Sequence, residues 1–181
     1  MKKHLPPKNE TVCFSGYRPH KLPCGSDESS PEMQRVKENT RAMIVDMIEK
    51  GKTNFINGLM MGFDLIAAEQ VIELRKTYPT IQCISVAPFS IGYFLENHWT
   101  EEWKQRALRV CRNSDTGFSL SERYKSGIYY ERDRFMVDNS SEIIVCYDGQ
   151  PGGTKYTVDF AVKKGLTVHN VLNGIEKNGK M

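Results

Sequence analysis

The sequence predicts an α/β fold: a Rossmann-like parallel sheet with helices on both faces, in three α/β/α layers. Three observations carry this expectation. Strand-like and helix-like segments alternate from Thr11 to Leu172, the strand-like ones are near-continuous apolar runs, and most of them end in a glycine-bearing polar segment. A strand covered on both faces needs apolar side chains throughout, whereas a half-solvated antiparallel strand alternates apolar with polar.

The elements follow in order. Thr11–Ser15 reads as a short strand ending at Gly16. Met33 to Lys50 carries Val36, Met43, Ile44, Met47 and Ile48 at helical spacing. Ser30 suits its N-cap, Pro31 its first position and Gly51 its stop. Thr53–Asn57 is a second strand closed by Gly58, and Phe63–Tyr78 a second helix with Pro79 just beyond it. Ile81–Ala87 is a strongly apolar strand, Trp99–Arg112 a mixed-charge helix, and Thr116–Leu120 a weaker strand. Tyr129–Asp138 reads as a charged helix and Glu142–Tyr147 as the clearest strand of the chain. Thr154–Lys164 is a helix stopped by Gly165, and Thr167–Leu172 a last strand. The expected organisation is a flexible segment at 1–10, one domain over 11–172 and a polar tail over 173–181.

Composition narrows the function classes. A chain of 181 residues can bury a core without a disulfide or metal staple. A net charge of +3 is too small to imply nucleic-acid or membrane binding by itself. No apolar run approaches the roughly 18 residues of a membrane span, and Lys2 and Lys3 are not followed by a signal-peptide stretch. Cys13, Cys24, Cys83, Cys111 and Cys146 form no C-x-x-C pair, and neither they nor His4, His20, His98 and His169 show zinc-ligand spacing. Reduced core thiols in a cytoplasmic protein are the expectation, with no metal and no resident cofactor.

In parallel sheets ligands bind at the carboxyl ends of the strands, so the residues after each strand carry the functional reading. After the first strand, Gly16 would let backbone approach a ligand, and Arg18 offers a planar cation for phosphate or carboxylate. The alternative is an ordinary connecting loop. After the second, Gly58 and Gly62 flank a turn that opens a helix, and Asp64 either stabilises the first helical turn or accepts from a ribose hydroxyl or base. After the third, Ser90 precedes Tyr93, Phe94, Trp99 and Trp103, which either stack on a base or pack in the core. Arg132 and Arg134 lie on different faces of one helix, so one would aim at the site and the other form salt bridges. After Glu142–Tyr147 come Asp148, Gly149, Gly152, Gly153, Thr154 and Thr157, the strongest local signal: bare N–H groups and hydroxyls at a helix start can cradle a phosphate.

The motifs F-S-G-Y-R-P-H-K-L-P at 14–23, N-G-L-M-M-G-F-D-L-I-A-A-E at 57–69, R-D-R-F-M-V-D ending at Asp138 and I-I-V-C-Y-D-G-x-x-G-G-T-x-x-T-V at 143–158 resemble the YpsA-like branch of the SLOG superfamily. The resemblance spans about Thr11 to Leu172. It implies a Rossmann-like sheet and a pocket for a nucleotide or nucleotide-derived ligand, with ADP-ribose and NAD-like compounds included. Relatives in the superfamily are DprA, which handles DNA, and the LOG phosphoribohydrolases, which cleave the base–ribose bond of nucleoside monophosphates. The LOG signature couples E-R-K-x-x-M to P-G-G-x-G-T-x-x-E. Glu131-Arg132-Asp133 precedes Met136, Pro151-Gly152-Gly153 matches the loop start, and Asp159 falls at the enzyme's glutamate, while Lys155 and Tyr156 replace its Gly-Thr.

The resemblance therefore implies a sensor or regulatory protein, and the residues that follow the strands, Gly16, Arg18, Gly58, Gly62, Asp64, Ser90, Arg134, Asp148, Gly152, Gly153, Thr154 and Thr157, are expected around the ligand. An N-glycosidase is the alternative, with Arg132, Asp159 and Glu131 as its catalytic group. A protein-interaction module built on the Trp99 region and a single-stranded DNA binder are further alternatives, the last disfavoured by the even mixing of charges. A homodimer follows from likeness to LOG enzymes, which pair through helices.

Overall fold

A computed structural model of the chain describes residues 5–96 and 99–175. Six strands form one sheet: β1 (Thr11–Gly16), β2 (Asn54–Asn57), β3 (Gln82–Phe89), β4 (Thr116–Ser121), β5 (Glu142–Cys146) and β6 (Thr167–Asn170). Their order is β4-β3-β2-β1-β5-β6, and every neighbouring pair is parallel. The helices are α1 (Pro31–Glu49), α2 (Phe63–Leu74), α3 (Ile91–Phe94), α4 (Glu101–Asn113), α5 (Ile128–Asp138) and α6 (Gly153–Lys163).

The continuous apolar runs are explained by two cores. Side chains alternate across a strand. Val12 and Phe14 point into one core with α1, α2 and α4, where Phe14 meets Phe55 and Phe63 at 6.2 and 6.5 Å. Cys13, Ile143 and Val145 point into the other, beneath α5 and α6. The predicted three layers are therefore present. No described helix is long and apolar enough to cross a membrane.

Local signals also place several ends. Ser30 caps α1, its hydroxyl accepting from the Met33 N–H at 3.2 Å, a contact that contributes about 1 kcal/mol. Gly51 and Gly165 take positive φ just past α1 and α6, as helix stops do.

Other ends differ from expectation. The second helix stops at Leu74 rather than Tyr78, because the N–H groups of Thr77 and Tyr78 both turn back to the Leu74 carbonyl ahead of Pro79. β3 runs past Ala87 through Pro88 to Phe89, which pairs with Ser121 of the edge strand. α4 starts after Thr100, whose hydroxyl accepts from the Trp103 N–H, so Trp99 stands outside the helix. Within the segment expected to be flexible, Lys8–Glu10 form a short 3-10 turn, and residues 1–4 lie outside the described residues. Of the expected tail, 173–175 follow a turn against Asn170 and Leu172, and 176–181 lie outside. His4 and His98 lie outside as well.

Candidate functional site

Strand order reverses between β1 and β5, so the loops leaving these two neighbours diverge and open a crevice at their carboxyl ends. Both loops are held by Tyr17. Its N–H donates to the Cys146 carbonyl at 3.2 Å, and its carbonyl accepts from the Phe63 N–H at 3.0 Å. Its hydroxyl donates to the Asp148 carboxylate, and the ring packs edge-on against Tyr147 at 6.0 Å. Burial and the Asp148 carboxylate push the Tyr17 phenol up to about 12. Beyond it, Pro19–Lys21 make one 3-10 turn, started by the fixed φ of Pro19. That turn brings Arg18, His20 and Lys21 to a cavity of about 410 Å³, a size suited to a small ligand.

The glycines divide into two groups. A Cβ at Gly16 would lie 2.5 Å from the Phe63 ring, and one at Gly58 would lie 2.7 Å from Asp64 Oδ2. Gly62 has φ +97°, and a Cβ there would meet the Tyr17 carbonyl oxygen at 2.4 Å. At these three positions protein atoms fill the space a side chain would need. Gly16 still lines the cavity, while Gly58 and Gly62 lie behind its wall. Gly152 and Gly153 behave differently. A Cβ at Gly152 would lie 3.5 Å from Lys21 Nζ, and one at Gly153 would meet nothing within 4 Å. The first turn of α6 thus presents bare backbone to the cavity, with Thr154 beside it.

The floor is a buried charge cluster. Arg132 donates from Nη1 to the Gly58 carbonyl at 3.0 Å and from Nη2 to Asp133 Oδ1 at 2.7 Å. Asp133 Oδ2 lies 3.0 Å from the Thr157 hydroxyl, which is also 3.1 Å from the Gly153 carbonyl oxygen. The Arg132 charge is therefore answered within the protein, and Thr157 braces Asp133. Asp64 sits in the first turn of α2 and lines the cavity. Burial pushes its carboxyl up to about 7, opposed by Arg132 and reinforced by Asp133.

The remaining predicted residues lie elsewhere. Asp159 is exposed and paired with Lys155 at 2.6 Å, and Glu131 is paired with Lys125 at 2.8 Å. Neither lines the cavity. Arg134 is exposed and donates to the Tyr156 hydroxyl at 3.2 Å, in place of the expected salt bridge. Ser90 stands at the N-cap position of α3 without a side-chain cap bond. Asp148 faces a neighbouring cavity beside Tyr17. Sequence reasoning missed Tyr17, Lys21 and Asp133. Lys21 lies within the motif at 14–23, but nothing local shows that it meets the start of α6.

The arrangement has two chemical ends. Arg18, Lys21 and the α6 N-terminus supply positive potential and N–H donors suited to an anion. Among the described residues Arg18 and Lys21 form no ion pair; Lys21 lies only over the Tyr17 ring, at 5.8 Å. Asp64 and Asp133 supply acceptors for hydroxyl or amine hydrogens.

Comparison with known proteins adds to this geometry. The YpsA family model, described as the YspA SLOG family, matches residues 12–176. A UPF0398 protein of Brevibacillus brevis is 28% identical over 153 residues, covering 83% of this chain and 79% of that protein. A UPF0398 protein of Bacillus cereus is 26% identical over 159 residues, covering 86% and 84%. Among solved structures, DNA processing protein A from Helicobacter pylori, described for its single-stranded DNA binding mode, superposes with a TM-score of 0.57 at 16% identity. That match covers 88% of this chain, which spans 64% of that one. The X-ray structure of TM1055 superposes with a TM-score of 0.50 at 12% identity, covering 87% and 71%. These two likenesses concern the fold.

Proposed function

The chain belongs to the YspA SLOG family, and on that premise we propose that it is a cytoplasmic sensor or regulatory protein that binds a phosphorylated nucleoside, ADP-ribose and NAD-like compounds included. One observation carries the reading. Arg18 and Lys21, with no ion-pair partner among the described residues, converge with the open backbone of Gly152 and Gly153 on one cavity. Phosphate at that end would take N–H donors from the α6 start and charge from the two side chains. Asp64 and Asp133 at the floor would accept from the ribose hydroxyls.

Calorimetric titration tests this with AMP, ADP-ribose and adenosine. AMP is expected to bind, adenosine to bind much more weakly, and Arg18→Ala with Lys21→Ala to lower AMP affinity at least about tenfold. Absence of binding by every phosphorylated nucleoside overturns the reading. Binding by a single-stranded oligonucleotide alone, steeply salt-dependent, points instead to the DNA binding described for DNA processing protein A of H. pylori. Light scattering with and without AMP reads whether two copies pair.

The raised Asp64 carboxyl favours a second reading, hydrolysis of the N-glycosidic bond. A carboxyl able to hold or give up a proton near neutrality is suited to acid–base work at a ribose centre. Here the acid is Asp64 rather than Asp159. Chromatography for free base after incubation with nucleoside monophosphates, in the protein and in Asp64→Asn, decides between binding and turnover.

A further inference from the structure

A second cavity, of about 630 Å³, opens directly beside the first and shares Arg18, Met60 and Tyr129 with it. Its walls are aromatic. Phe89 meets Phe94 at 5.5 Å and Tyr124 at 5.9 Å, and Phe94 meets Trp99 at 5.2 Å. Tyr124 makes these ring contacts while 63% exposed, so one face stands open. Arg123 forms no ion pair among the described residues and lies 3.6 Å over the Tyr93 ring. Glu96, exposed at the rim, is a carboxylate acceptor.

Open aromatic faces beside guanidinium planes recognise flat π-systems, and a rim carboxylate accepts from an exocyclic amine. We infer that this aromatic cavity is a nucleobase subsite, filled by the base of the same molecule whose phosphate lies at the α6 start. The inference rests on the reading above and deepens it. The bound nucleotide then spans both cavities, its ribose crossing Met60 and Tyr129 and its base stacking on Tyr124 beside Trp99 and the Arg123–Tyr93 pair. A base carried on single-stranded nucleic acid has the same chemistry. The small net charge and the size of the anion end favour the free nucleotide.

The chain has two tryptophans, Trp99 and Trp103, so Trp103→Phe leaves Trp99 as the reporter. This variant is titrated with AMP, ribose 5-phosphate and an oligothymidylate, by fluorescence and by calorimetry. AMP is expected to change Trp99 emission, whereas ribose 5-phosphate binds without doing so. Tyr124→Ala, at an exposed position, is expected to weaken AMP about 5- to 100-fold, the range for loss of one base–aromatic stack. It should leave ribose 5-phosphate within twofold. If ribose 5-phosphate binds as tightly as AMP and Trp99 stays silent to both, the base subsite is wrong and the phosphate reading stands. If neither sugar phosphate binds, the phosphate reading fails first. Trp99 responding to the oligonucleotide but to no mononucleotide overturns the inference in favour of nucleic acid.

Discussion

Asp64→Asn is expected to remove a pH dependence from the protein's stability. The Asp64 side chain is buried between Arg132 and Asp133, and its carboxyl is pushed from 3.8 to about 7, chiefly by burial. Unfolding returns it to water and to its ordinary value. The folded state therefore holds this proton more tightly than the unfolded state does. The stabilisation is complete below about pH 4 and is lost as pH rises through 7. Each unit in that window costs about 1.4 kcal/mol, or about 4 kcal/mol across it. Asparagine cannot ionise, so the variant should gain on the parent protein by up to about 4 kcal/mol between pH 4 and pH 7.5. Urea unfolding of both proteins across that range reads the effect, since titrating groups not coupled to Asp64 cancel in the difference. A difference that stays constant with pH would mean that Arg132 fully offsets the burial, and the electrostatic argument for the cavity floor would fall with it.

Three further outcomes are expected. Gly62→Ala should lower stability by at least about 2 kcal/mol in denaturant unfolding, because it sets a Cβ against the Tyr17 carbonyl at positive φ. In the folded protein a thiol reagent should modify exposed Cys24 quickly and Cys111 slowly. Buried Cys13, Cys83 and Cys146, with thiols pushed up to about 12, 11 and 12, should react only on unfolding. Asp159→Asn should leave both the unfolding midpoint and nucleotide affinity unchanged, since it alters only an exposed pair with Lys155; a marked loss of affinity would return Asp159 to the site.

Layer order was legible because burial on both faces favours apolar residues along the inner strands, and β5 shows this most plainly. Caps and stops at Ser30, Gly51 and Gly165 were legible because they act within a few residues. The end of β3 was not, since Pro88 and Phe89 extend the strand only because Ser121 lies alongside. The site was legible at the level of loops and less so at the level of atoms. A glycine advertises an absent side chain but not what fills the space: Phe63 at Gly16, Asp64 at Gly58, and open space at Gly153. Arg132 lines the cavity, and its neighbour Asp133 answers its charge. Lys21 meets the start of α6 through a contact that only the folded chain creates.

The Tyr17–Asp148 tether joins the first strand exit to the fifth, so the crevice is built from segments 131 residues apart in sequence. During synthesis from the N-terminus, Arg18 and Lys21 emerge early and wait unopposed. Their counterpart, the backbone at Gly152 and Gly153, arrives only after four other strands have been made. β5 must then slide in beside β1 before the two halves face each other. If the crevice binds nucleotide as proposed, nascent or C-terminally truncated chains would lack that affinity, and nucleotide would be a selective probe of completed molecules among those still folding.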